Sequence, residues 1–238
     1  MKKLLLTTLL ALVSSLPASA HQIWIEQGGT AAVLHFGEFG DNLRETTPGL
    51  LDKFVTPAAR LVGRDGVQAL ALRKTAQGFV LARTAAPGES IVAEDAAWPM
   101  FDSTHEGKTV RGMWTPAARW VSGLAAQQPV LDFDIVPTGQ PGQFRVYYKD
   151  RPLPNAKVSA VIPNGWKREE TTDEQGLVRF ALPWRGTYVL EARHLDRQPG
   201  ERKGERYDTA SFVTSLSFNK PDGAPALAAG PVTPAGKP

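Results

Sequence analysis

Gln143-Phe144-Arg145-Val146-Tyr147-Tyr148-Lys149, then Asp150-Arg151-Pro152-Leu153-Pro154-Asn155, then Ala156-Lys157-Val158-Ser159-Ala160-Val161 read as strand, turn and strand. The outer runs carry aromatic and β-branched residues, and the middle piece carries the prolines and asparagine that interrupt a ladder. The same grammar extends both ways. Upstream, residues 130–136 form a strand ended by Pro137 and a Gly139/Pro141/Gly142 turn. Downstream, Asp173-Glu174-Gln175-Gly176 turns into residues 177–182, and Arg185-Gly186 turns into residues 187–194. A long polar loop over 196–208 then precedes a last strand at 209–218. About seven strands in roughly ninety residues predict an immunoglobulin- or transthyretin-like antiparallel β-sandwich over 126–219. Beyond Asn219 the chain is Pro, Ala and Gly without periodicity, which predicts a disordered tail over 220–238.

Residues 21–125 follow the same rule less cleanly and are read as a separate N-terminal β-rich domain, so the whole is all-β. Gln22, Trp24 and Glu26 alternate with Ile23 and Ile25, and residues 31–36 read as a second strand. A loop over 37–48 carries Glu38, Asp41, Asn42, Arg44 and Glu45. Arg60-Leu61-Val62, the Arg64-Asp65-Gly66 turn, residues 67–72 and residues 79–82 continue an antiparallel meander. Residues 85–125 hold Trp98, Trp114, Trp120 and a polar loop at 102–108. Pro116 after Thr115 predicts a short helix over 116–121. Thr-Pro-Ala-Ala-Arg stands at 56–60 and again at 115–119, which in so alanine-rich a chain reads as coincidence.

The first twenty residues predict export. Lys2 and Lys3 precede a short apolar run, and Ala18-Ser19-Ala20 supplies the small residues of a signal peptidase site. The run is too short for a spanning helix, and the expected location is the periplasm of a Gram-negative cell. With no cysteine there is no disulfide, thiolate site or lipidated N-terminus. The formal charge of +3 includes Lys2 and Lys3, so the mature chain is nearly neutral, which gives no electrostatic case for nucleic acid or for an anionic membrane.

Cleavage after Ala20 leaves His21 first, with an α-amine and an imidazole on one residue. Together they form a chelate suited to Cu(II) or Ni(II), and a metal competes with protons for both nitrogens near neutral pH. His194 ends its strand on the apolar face of Tyr188, Leu190 and Ala192, while His21 shares a face with Ile23 and Ile25. Both then border a core, where a half-buried site could form. His105 lies in a polar loop beside Asp102 and Glu106. His35, between Leu34 and Phe36 but on the opposite face, is directed toward solvent. The metal-site candidates are therefore His21, His194, His105 and His35, each with an ordinary alternative as a solvated or hydrogen-bonded histidine. Tyr207 reads as an axial ligand or, more simply, a strand-edge aromatic. The six tryptophans suit sugar stacking or, more simply, core packing.

Three segments carry a resemblance. They are Ala20-His21-Gln22-Ile23-Trp24-Ile25-Glu26, residues 146–158 starting Val146-Tyr147-Tyr148, and Thr172-Asp173-Glu174-Gln175-Gly176-Leu177 through Tyr188-Val189-Leu190-Glu191-Ala192-Arg193-His194. Together they resemble a bacterial periplasmic domain-of-unknown-function family associated with nickel or cobalt uptake. The start is the distinctive part; Ile25 stands where that pattern often has Leu, and Gln27 where it often has Pro. The resemblance implies export, an all-β fold and a role in transition-metal handling.

No Gly-x-Ser-x-Gly, Walker loop or His-Glu-x-x-His pattern is present, and no carboxylate pair is set apart by spacing. The expectation is a binding module rather than an enzyme. It would hold a transition-metal ion (Ni, Co or Cu) at His21 with His194 or His105 and serve a membrane or outer-membrane uptake transporter. The rivals are a metal-free interaction or carrier sandwich and a histidine-brace copper oxidoreductase.

Overall fold

The computed structural model describes residues 21–105 and 107–236, without the side chain of His105. The expected signal peptide, residues 1–20, lies outside the described residues.

The regular secondary structure of the described residues is almost entirely strand. Its first half runs β1 Gln22–Gln27, β2 Ala32–Glu38, β3 Leu43–Arg44, β4 Ala58–Gly63, β5 Gly66–Leu70, β6 Leu72–Thr75, β7 Gly78–Leu81, β8 Ser90–Glu94, β9 Phe101–His105 and β10 Lys108–Val121. The second half runs β11 Phe133–Pro137, β12 Gln143–Tyr148, β13 Arg151–Pro152, β14 Lys157–Val161, β15 Lys167–Thr171 and β16 Leu177–Arg179. It ends with β17 Gly186–Asp196, β18 Gly200–Arg202, β19 Glu205–Tyr207 and β20 Thr209–Lys220. A 3-10 turn, Leu50–Lys53, follows β3.

A nine-stranded sheet in the order β15-β14-β17-β20-β10-β8-β4-β5, with β9 on β10, forms the central layer. The β10–β20 ladder is parallel, and the other ladders of this sheet are antiparallel. One face carries the sheet β1-β2-β7-β6 with β3 on β2; the other carries β11-β12-β13 with β16 on β12. Side chains alternate across a strand, so each central strand feeds both sides. Ala118 and Trp120 of β10 pack with Ile23, Ile25, Leu34 and Phe36. Met113 and Val121 of the same strand pack with Phe133, Ile135 and Phe144. Both cores lie against one sheet, and Met113 and Val121, from before residue 126, pack into the core built otherwise from later residues.

β20 shows why the layers approach so closely. Its Ser215 and Ser217 hydroxyls donate to the carbonyls of Ile23 (2.7 Å) and Ile25 (2.5 Å), fixing β1 over the sheet. Alternate residues Phe212, Leu216 and Phe218 face the other core.

Three local expectations are corrected. Residues 116–121 are not helical: they are the end of β10, laddered to β20 on one side and β8 on the other. Pairing on both edges outweighs the weak helix preference of Ala-Ala-Arg. The 196–208 segment contains the β18–β19 hairpin instead of only loop. The tail at 220–238, expected to be disordered, is laid along the surface through Gly236. Asn42 Nδ2 donates to the Gly230 carbonyl (2.9 Å), Thr233 Oγ1 donates to the Asp41 carbonyl (2.6 Å), and Ala224 bridges Trp184. Composition signalled no core for this segment, but backbone groups on the body supply its partners.

The two Thr-Pro-Ala-Ala-Arg copies occupy equivalent places. Across β8, Ala58 and Ala117 both pair with Glu94, Ala59 and Ala118 with Ala93, and Arg60 and Arg119 with Val92. In both copies the second alanine packs into the core beneath β1. Arg60 reaches Glu94 (2.8 Å), and Arg119 reaches Asp134 on the far side.

Arg119 and Asp134 are fully buried and tie the central sheet to β11. Arg119 Nε donates to Asp134 Oδ1 (3.0 Å), and Nη1 donates to Gln127 Oε1 (2.8 Å) and Ser90 Oγ (3.2 Å). Asp134 Oδ2 also accepts the amides of Val130 (2.9 Å) and Leu131 (3.3 Å). Removing one partner strands the other charge in the interior, so Arg119→Ala is expected to cost about 3–5 kcal/mol by urea unfolding. The pair Arg119→Met with Asp134→Leu should recover much of that loss.

Candidate functional site

Register brings the start of the described chain to a carboxylate. Gln22 pairs with Gly37 and Ile23 with Phe36, so His21 is level with Glu38. The chain folds back in the turn at 39–42, and at Gly37 (φ +144°), just before it, a Cβ would lie 2.3 Å from the Leu43 carbonyl oxygen. Only glycine allows β3 this close to β2. The return holds the Glu45 amide on the Phe36 carbonyl (2.8 Å) and puts the Glu45 side chain beneath the His21 ring.

Glu45 is fully buried. Its Oε1 lies 2.6 Å from His21 Nε2, and its Oε2 accepts the amide of Gly236 at 3.1 Å. A carboxylate accepts, so Nε2 is the donor in the contact with Glu45. Nδ1 faces Glu38 Oε1 at 3.3 Å. Burial and a hydrogen bond with Asp41 push the Glu38 carboxyl above its usual range, while His21 draws it down.

His21 also forms part of the wall of a cleft of about 280 Å³, with Phe36, Leu50, Lys53, Trp98, Phe101, Trp114, Arg193 and Ser211. Its wall is aromatic. Trp98 and Trp114 meet edge to face at 4.5 Å and 84°, and Phe36 lies 5.5 Å from Trp98 and 5.1 Å from the His21 ring. The loop bearing Trp98 is held from two sides. Arg202 of β18 donates to the Trp98 and Ala96 carbonyls (2.6 and 3.0 Å). The buried Asp95 carboxylate accepts the amides of Val55 (2.8 Å) and Ala97 (2.9 Å).

The other histidines are elsewhere. Arg193 of β17 reaches the His21 carbonyl (3.2 Å), so the adjacent His194 points to the opposite face of the central sheet. There it packs against Tyr148 (4.3 Å) and Phe133 (5.9 Å). A sheet therefore separates His21 from His194, which corrects their pairing as co-ligands. His105 ends β9 opposite Lys108, and its side chain lies outside the described residues. His35 is on the face of β2 opposite Phe36. It is not turned to solvent as expected: its ring lies 5.4 Å from Trp24, and Nδ1 donates to the Gln77 carbonyl (3.1 Å). The cross-strand tryptophan, Trp24↔His35, is what covers it. Tyr207 packs against the second core instead of joining His21. Among the described residues no group of three or more His, Cys, Asp or Glu is arranged to hold a metal ion.

Residues 122–196 match the family model of a domain of unknown function (DUF4198). The match covers β11 to β17, and of the cleft residues only Arg193 falls within it. No curated protein and no solved structure matches the chain.

Sequence reasoning missed Glu45, Lys53, Trp98 and Arg193 as site residues. Their spacing carries no signal, because the turn at 39–42 and the sheet order bring them together.

Burial lowers the pKa of both His35 and His194, against the opposing pull of Glu26 on the first and Asp196 on the second. Below about pH 6.5 the unfolded chain then takes up protons that these folded rings resist, so stability falls as pH drops. His35→Gln and His194→Gln, singly and together, should flatten the decline of the urea midpoint between about pH 7 and about pH 5. An unchanged slope would contradict this.

Proposed function

We propose that the protein is an exported transition-metal-binding module that takes Ni, Co or Cu at His21 and delivers it to an uptake system. The observation that carries this reading is the contact between the buried Glu45 carboxylate and His21 Nε2. Metal-ligating histidines commonly donate their second ring nitrogen to a carboxylate, which fixes the tautomer and strengthens the ligating nitrogen. Here Nδ1, which meets Glu38, is the nitrogen that would ligate. It is also the one that forms a chelate ring with the α-amine of the same residue, once cleavage after Ala20 frees that amine. Glu38, 3.3 Å from Nδ1, supplies an oxygen donor on the same side. The reading therefore replaces His194 and His105 with the amine and Glu38 as partners of Nδ1, and gives Glu45 a positioning role. Nitrogen donors of this kind suit Cu(II) and Ni(II). The resemblance at Ala20-His21-Gln22-Ile23-Trp24-Ile25-Glu26 supports the same assignment.

Calorimetric titration of a chain beginning at His21 tests the reading, with Ni(II), Co(II), Cu(II) and Zn(II) compared. One added residue before His21, or His21→Ala, should abolish tight 1:1 binding. Glu45→Gln should weaken binding by about 10–100-fold, the usual cost of losing an outer-shell partner. Affinity that survives the added residue would overturn the chelate.

A further inference from the structure

We infer that the cleft beside His21 is a binding site for a small organic carboxylate with a flat, apolar body of one or two rings. The inference goes beyond metal binding and does not require it.

The walls and the rim differ in chemistry. Trp98 and Trp114 are half-buried and meet at a near right angle, so each presents ring surface to the cleft. Phe101 adds a ring that is 45% exposed. Its position is built in: it pairs across from Gly112, where a Cβ would come 2.7 Å from the phenyl ring. A large apolar side chain kept at the surface against an aromatic wall marks a place for a ligand more than a packing requirement.

The charged groups that line the cleft are cationic: Lys53, Arg193 and, when protonated, His21. Among the described residues that line it there is no carboxylate or amide side chain. The acidic neighbour of Lys53 is engaged elsewhere. Asp52 accepts from Lys74 (2.5 Å) and Thr47 (2.6 Å), which draws its pKa down to about 2, and Lys53 makes no ion pair among the described residues. Arg193 gives one hydrogen bond to the His21 carbonyl and feels the charges of Glu191 and Glu38 from outside the lining, and its guanidinium has five N–H donors in a fork that suits a carboxylate. A sugar would need more hydrogen-bond acceptors than the Ser211 hydroxyl gives the wall. A flat anion satisfies both wall and rim. The volume, about 280 Å³, lies at the lower end of ligand pockets and limits the guest to a small acid.

The test uses chelator-treated, metal-free protein beginning at His21, titrated with 2-naphthoate and indole-3-acetate by tryptophan fluorescence and calorimetry. The neutral 2-naphthylmethanol and ring-free acetate are the controls. Both ring acids should bind, and each control should bind at least about tenfold more weakly, a difference readily resolved in Kd. Arg193→Gln and Lys53→Gln should weaken the acids and leave the alcohol unchanged. Phe101→Ala, an exposed position, should weaken acid and alcohol alike. Equal binding of acid and alcohol would reduce the cleft to an apolar pocket and overturn the inference. Equal binding of acetate, or no binding of either ring acid, would overturn it as well. Because the protein is metal-free, failure here leaves the chelate at His21 untouched, and failure of the metal titration leaves this site standing.

Discussion

A central sheet covered on both faces sets the terms for everything else in this molecule. Most of β20, β10 from Gly112 onward and the middle of β17 are buried, and alternate side chains of β10 belong to different cores. Neighbours in sequence are therefore separated in space by a sheet. Arg193 goes to the cleft with His21, and His194 goes to Tyr148 and Phe133. The parallel β10–β20 pair adds a topological demand. The whole of β11 to β19 lies between its two strands, so β20 can dock only across a long loop of sequence. Closing such non-local pairs is entropically costly and slows folding.

β1 inherits its position from that sheet. Two serine hydroxyls of β20 hold its carbonyls, and the ladder to β2 then sets His21 against Glu38. Glu45 completes the arrangement. A carboxylate at zero exposure needs donors on its oxygens, and Glu45 has the His21 ring on one and the Gly236 amide on the other. The C-terminal segment thus helps to hold the residue that orients the first histidine. Nδ1 meets Glu38, beside a cleft whose wall is aromatic and whose charged lining groups are cationic.

The fold class was legible because strands announce themselves through alternation, and turns such as Asp173-Glu174-Gln175-Gly176 punctuate them. Residues 116–121 were misread because Pro116 resembles a helix start, whereas the deciding factor, a ladder on both edges, is non-local. The repeated Thr-Pro-Ala-Ala-Arg looked accidental in one dimension; only the register across β8 shows the two copies in matching roles. His21 stood out in the sequence because of the small residues before it. Its contact with Glu45 did not, since Glu45 lies 24 positions away and arrives through the turn at 39–42. His35 was assigned to solvent by face-counting alone, which ignores the tryptophan paired across from it.

The central claim is that Glu45 holds the His21 ring through a proton on Nε2. Two-bond nitrogen–proton correlation NMR of ring-labelled protein, at an alkaline pH where imidazoles are neutral, reads the tautomer directly. The account predicts a protonated Nε2 and a bare Nδ1 for His21, with the preference relaxed toward a mixture in Glu45→Ala. A His21 ring protonated on Nδ1, or the same tautomer with and without the Glu45 carboxylate, would contradict it.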